Sequence, residues 1–148
     1  FFMRDFSIES AWHAVRMAFM LIGGWLGTFL GNADRLLILL IAFASLDYIS
    51  GVLRAIAEKK LSSAVGFRGI SRKALMFMIV GLANLLDRYA IGSGSTLRSA
   101  VIFFYLSNEG LSLIENATQL GLPIPNQLRS VLSQLHKKEA SEGDESNE

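Results

Sequence analysis

Apolar residues fall in long blocks along this chain rather than in the short alternations of a sheet protein. The four blocks run from about Ala14 to Gly31, Leu36 to Leu53, Ala74 to Ile91 and Ser99 to Asn116. Each approaches the ~20 residues that carry a helix across a hydrocarbon core of about 30 Å. Asp87 and Glu109 shorten the purely apolar parts of the third and fourth blocks, which makes these the weaker spans. Asn32 to Arg35 is a very short link, and Gly92-Ser93-Gly94-Ser95-Thr96 is another. Links of this length predict two antiparallel hairpins. Beyond the fourth block Gly121 reads as a helix stop, Pro123 blocks continuation, and Pro125 suits the first turn of a new helix. Leu128, Val131, Leu132 and Leu135 then recur at helical spacing. The expected fold is all-α and integral to a membrane, with four transmembrane helices followed by a short amphipathic helix over about 125–138. That helix would lie on the membrane surface or on the bundle. Residues 1–138 form a single membrane domain on this reading. The Ser-, Gly- and acid-rich segment 139–148 is expected to be disordered.

Composition supports the membrane reading. Of 148 residues, 51% are hydrophobic and only 18% charged, and the mean hydropathy is +0.40. A net charge of +1 gives no reason to expect a nucleic-acid partner, since phosphate binding needs a concentrated basic face. The absence of cysteine excludes disulfides, thiolate metal sites and thiol catalysis. No cleavage site follows the first block, so a cleavable signal peptide is not expected. The basic residues divide unevenly. Eleven lie before or at the start of the first block, between the second and third, or after the fourth, against three (Arg35, Arg88 and Arg98) on the other side. Because Lys and Arg accumulate on the cytoplasmic side, both termini are expected to face the cytoplasm of a bacterial inner membrane. The loop carrying Lys59, Lys60, Arg68, Arg72 and Lys73 should face it too.

Polar residues inside the blocks are the candidates for function. Gly23, Gly27 and Gly31 share one helical face and would let another helix approach closely, within the subunit or from a second copy. Trp12 and Trp25 suit interface anchoring or packing. In the second block Asp47, Ser50, Gly51, Arg54 and Glu58 form a stripe. In the third, Lys73, Asn84 and Asp87 share a face, and Asp87 also suits a helix end. On the fourth, Asn108, Glu109, Ser112, Glu115, Asn116 and Gln119 fall within a sector about 120° wide. Carboxylates at membrane depth cost about 2.5–3.5 kcal/mol on insertion scales, so these groups should face protein or water. Neither His13 nor His136 has a second histidine or a carboxylate pair nearby in sequence, so no metal is expected. No triad, phosphate loop or dinucleotide fingerprint is present. The chain is expected to be neither an enzyme nor a cofactor protein.

The run DYISGVLRAIAEKKLSSAVGFRGISRKALMFMIVGLANLLD, followed by FFYLSNEGLSLIENATQLGLPIPNQLRSVLSQL, resembles the phage holin family, which includes holin-like proteins associated with clostridial toxin secretion. The resemblance covers about Leu36 to Leu135. It is carried by Asp47 and Gly51; by Ser62, Gly66, Gly69 and Lys73; by Asn84 and Asp87; and by the Asn-Glu-Gly-x-Ser-x-x-Glu-Asn block with Gly-Leu-Pro-x-Pro after it. It implies a self-associating inner-membrane protein whose lesions dissipate the membrane potential. Those lesions would release an endolysin, or a toxin, without direct contact with it. Two other readings stay open: an oligomeric ion-coupled transporter or channel using Asp47, Glu109 or Glu115, and a membrane scaffold.

Overall fold

The structure, a computed structural model, describes residues 2–92 and 94–145. The side chains of residues 2–7, 136 and 138–145 lie outside the described residues, and with them Arg4, His136 and Lys138. Five α-helices account for nearly all of the described backbone: α1 Phe2–Leu30, α2 Arg35–Ala57, α3 Ser63–Leu86, α4 Thr96–Gln119 and α5 Asn126–Glu145. A π-helical turn, Asp87–Ile91, extends α3.

Each boundary has a local cause. Helix α1 stops where Gly31 enters the left-handed region at φ +86°. There the Asn32 N–H donates to Gly27 O at 2.7 Å and the Gly31 N–H to Thr28 O at 3.3 Å, the paired bonds of a Schellman stop. Two residues later the Asp34 carboxylate accepts from the Leu37 N–H at 2.9 Å and starts α2. The Ser62 hydroxyl accepts from the Val65 N–H at 3.2 Å and starts α3. Arg68, Arg72 and Lys73, expected in a loop, therefore stand on a helix, and only Lys59 and Lys60 occupy the link. Helix α4 ends at the expected glycine, where the Leu122 N–H donates to Ala117 O and the Gly121 N–H to Thr118 O, both at 3.0 Å. Helix α5 begins directly after Pro125 and continues through Glu145. Residues 146–148 of the segment expected to be disordered lie outside the described residues.

The expected four-span architecture is corrected. Among the described residues three helices are long and apolar enough to cross a membrane: Ile8–Leu30, Arg35–Ala57 and Ser63–Ile91. Helix α4 is 24 residues long, but Ser107, Asn108, Glu109, Ser112, Glu115 and Asn116 break up its apolar positions. The polar stripe that makes α4 interesting is what disqualifies it as a span. The first of the two expected hairpins is corrected too, whereas α3 and α4 do pack on one another. Helices α1 and α2 do not pack on one another, and α1 rests on α3 instead. A short link reverses the chain but does not choose which faces meet.

The core lies where α2, α3 and α4 meet, with Leu37, Leu40 and Ala44 against Met76, Val80, Ile102 and Leu106. Helix α4 lies mainly along α2. Helix α5 folds back onto α4, where Leu132 fills the notch at Gly110; a Cβ there would stand 2.8 Å from Leu132 Cδ2. Among the described residues, helix α1 is attached only near its C-terminal end. Phe29 packs so closely on Gly81 that a Cβ there would lie 2.0 Å from its ring. The Asn84 amide donates to Phe29 O at 3.0 Å and to Thr28 O at 3.3 Å. None of the apolar span of α1 is buried.

A knot of polar groups secures this end of the bundle. The buried Asp87 carboxylate accepts from the Leu97 N–H at 3.1 Å and the Arg98 N–H at 2.7 Å, satisfying the exposed amides at the start of α4. The guanidinium of Arg98, whose residue is 1% exposed, donates to Leu30 O at 2.5 Å, to Asn32 O at 3.1 Å and to Asp34 Oδ2 at 2.6 Å. Hydrogen bonding from Arg98 holds the Asp34 carboxyl below its ordinary value of 3.8; partial burial opposes this and the Leu37 N–H reinforces it.

Two outcomes follow for thermal unfolding in detergent micelles. Arg98→Leu leaves two carbonyls and a carboxylate without their donor and is expected to cost about 3–5 kcal/mol. Because the Asp34 carboxyl is lowered in the folded state, its contribution is complete above its ordinary value. It is lost as pH falls through the lower folded value. Asp34→Asn should therefore flatten the acid limb of the stability profile below about pH 4. An unchanged acid limb would show that the pair contributes nothing.

Candidate functional site

At the other half of the bundle, three helices each contribute one charged side chain to a single point. The ammonium of Lys73 on α3 donates to Asp47 Oδ2 on α2 at 2.5 Å and to Glu109 Oε2 on α4. Their side chains are 20%, 15% and 12% exposed, so each ion is largely withdrawn from water and depends on the others. One ammonium between two carboxylates leaves one negative charge, unless a proton joins them.

A second tier extends this cluster toward the α2–α3 link. Asn116 stands two turns after Glu109 on the same face of α4. Its amide donates to Asp47 Oδ1 at 3.3 Å and to Ser50 Oγ at 3.0 Å, and its Oδ1 accepts from Arg54 at 3.5 Å. Gly51 lies beside Asn116, with 3.6 Å between the position of an added Cβ and the amide nitrogen. Arg54 continues to Glu58 at 3.0 Å. The Arg54 hydrogen bond holds the Glu58 carboxyl below its ordinary value, partly opposed by desolvation. This outermost pair is solvent-facing and adds little to stability.

The site residues expected from sequence separate into three groups. Asp47, Gly51, Glu109, Ser112, Glu115 and Asn116 line one cavity, together with Arg72 and Lys73 from the expected basic loop. Asn84 and Asp87 sit at the opposite end, in the knot that holds α1 and α4. Asn108 is half-buried on α4 and belongs to neither. Gly23 and Gly27 have nothing within 4 Å of an added Cβ, whereas Gly31 forms the turn beneath Asn84 and Arg98. Trp12 and Trp25 are both exposed on α1. Sequence reasoning missed Asp34, Arg98 and Tyr48; it counted Lys73 both in the basic loop and on the face of the third helix with Asn84 and Asp87, and did not pair it with Asp47 and Glu109. The available signal was energetic: carboxylates at depth on α2 and α4 require a cation from a third helix.

Known proteins settle the family. Residues 24–137 match the model of the bacteriophage holin family. The chain belongs to that family. Among its relatives, an uncharacterised protein of Clostridium perfringens is 35% identical over 124 residues, covering 84% of this chain and 92% of the relative. A second, an uncharacterised 14.9 kDa protein from the nagH 3′ region of the same organism, is 40% identical over 108 residues, covering 73% and 82%. A probable holin of Bacillus phage phi105 is 39% identical over 87 residues, covering 59% and 64%. No solved structure matches the chain. This holin-type protein is thus a membrane protein whose charged cluster faces inward.

Lys73→Met removes the shared cation and leaves two carboxylates close together. It is expected to destabilise the bundle by about 3–5 kcal/mol. Asp47→Leu, Lys73→Met and Glu109→Leu combined should cost less than Lys73→Met alone, because no unpaired ion remains. Thermal unfolding of the purified variants checks the order, and a triple variant less stable than the single one would refute the account.

Proposed function

We propose that this protein is a pore-forming holin. It accumulates in the bacterial inner membrane as a multi-pass protein, then associates with itself into lesions large enough to release an endolysin, or a toxin in secretion-linked relatives. It does this without catalysis and without direct contact with the released protein. Membership of the holin family carries the reading, and the inward-facing cluster gives it a physical route. In a single bundle Asp47, Lys73 and Glu109 satisfy one another between helices. In an assembly of many copies the same groups gain by turning to water, so opening is a shift of population between two ways of satisfying them. The unpartnered apolar face of α1, with Gly23 and Gly27 open on it, supports close packing between copies.

The orientation we propose places the α2–α3 link in the cytoplasm, because Arg54, Lys59, Lys60, Arg68 and Arg72 crowd that end. Helix α4 runs from Arg98, beside the α1–α2 link, to Asn116, beside Arg54. Its C-terminal end therefore lies at the same end of the bundle as the α2–α3 link. The N-terminal end of α1, one span away from the α1–α2 link, lies on that side as well.

One observation favours a second reading. Two carboxylates and an ammonium beside a cavity are a plausible carrier for protons or small cations, which suits an ion-coupled channel or transporter. Induced expression in a bacterium, with and without a signal-less endolysin, separates the two by membrane potential and culture turbidity. A holin abolishes the potential abruptly and produces lysis only with the enzyme present. Saturable ion flux in viable cells, without enzyme release, would favour transport instead. Glu109→Leu combined with Glu115→Leu should delay the onset of lysis, and unchanged timing would remove that face from lesion formation.

A further inference from the structure

A cavity of about 340 Å³ opens between α2, α3 and α4 next to the charged cluster. Gly66 and Gly69 leave room on α3, and the Tyr48 ring lies against them; a Cβ at Gly69 would come within 3.0 Å of its Cε2. Most polar groups around the cavity are already used. Lys73, Asp47 and Glu109 satisfy one another, and Asn116 is bonded to Asp47 and Ser50. Three lining groups are not: the guanidinium of Arg72 on α3, the carboxylate of Glu115 on α4 and the hydroxyl of Ser112 on α4. None of them forms a hydrogen bond or ion pair with another described residue. The cavity thus presents one free cation and one free anion from different helices, with a neutral hydroxyl on the anionic side.

That arrangement complements a zwitterion with an anionic oxygen group at one end and a protonated amine at the other. Apolar residues Val52 and Val65 line the same cavity. Ile56, one turn beyond Val52 on α2, is exposed and continues this apolar edge toward the α2–α3 link, offering a path for acyl chains. Lys59 and Lys60 occupy that link, at the level where phospholipid headgroups meet basic residues. We propose that the cavity holds the headgroup of phosphatidylethanolamine, with its phosphate against Arg72 and its ammonium against Glu115 and Ser112. This inference rests on α2 and α3 lying in a membrane and is independent of the lysis reading.

The test uses the purified full chain in detergent. It is offered phosphatidylethanolamine, phosphatidylcholine, phosphatidylglycerol or soluble phosphoethanolamine, and the retained ligand is measured by native mass spectrometry. Phosphatidylethanolamine should be retained about tenfold more than phosphatidylglycerol, the change set by one charge-assisted hydrogen bond. Glu115→Gln should abolish that preference while leaving phosphatidylglycerol unchanged, and Glu115→Asp should restore much of it. Arg72→Gln should weaken retention of every phospholipid. Circular dichroism of each variant confirms that the helices persist. Equal retention of the three lipids, or a preference that survives Glu115→Gln in a folded protein, overturns the proposal. Soluble phosphoethanolamine binding as tightly as the lipid overturns the membrane as its source.

Discussion

The bundle depends on one cation shared between two anions. Lys73 stands on α3, and its partners Asp47 and Glu109 stand on α2 and α4, so the three helices that form the core are joined at a single point. A buried ion pair is weak evidence of stability, since desolvation offsets much of the attraction. It is stronger evidence of specificity, because any sliding of one helix past another parts the ions before it parts the apolar side chains. Leucines and valines tolerate several registers; a lysine between two carboxylates tolerates few.

The two ends of the bundle solve different problems with the same kinds of group. At the knot, Asp87 and Arg98 are spent on backbone: amides at the start of α4 and carbonyls at the end of α1. Those bonds close helix termini that lack partners of their own. At the cluster the charged groups meet side chain to side chain and leave a cavity beside them. Rigidity at one end of this bundle thus stands against unspent polarity at the other.

Much of this could be read from the chain before its structure, and the failures have physical causes. The helices themselves, the stop at Gly121 and the polar face of α4 follow from local periodicity and turn chemistry. Counting Lys73 with the basic loop came from starting the third helix at its first long apolar run, whereas α3 begins at Ser63. A helix capped by Ser62 runs on through charged residues when one of them has partners, as Lys73 does here. Asp34 and Arg98 stand 64 residues apart, and periodicity carries no information about pairs so distant. Counting α4 as a span treated length as sufficient, although its polar stripe lowers its affinity for lipid while raising its affinity for α2. The hairpin of α1 and α2 failed because link length limits distance and leaves orientation free.

The attachment of α1 at one end has a wider consequence. Its contacts gather around Thr28 and Phe29, and the family match begins at residue 24. The matched region thus takes in the α1 residues that pack on α3. Upstream of it, the described side chains of α1 lie exposed and meet no other helix of the bundle, so this core does not dictate them. Substitutions there leave the packed core of α2, α3 and α4 intact, so how the bundle folds and what this segment meets outside the bundle are set separately.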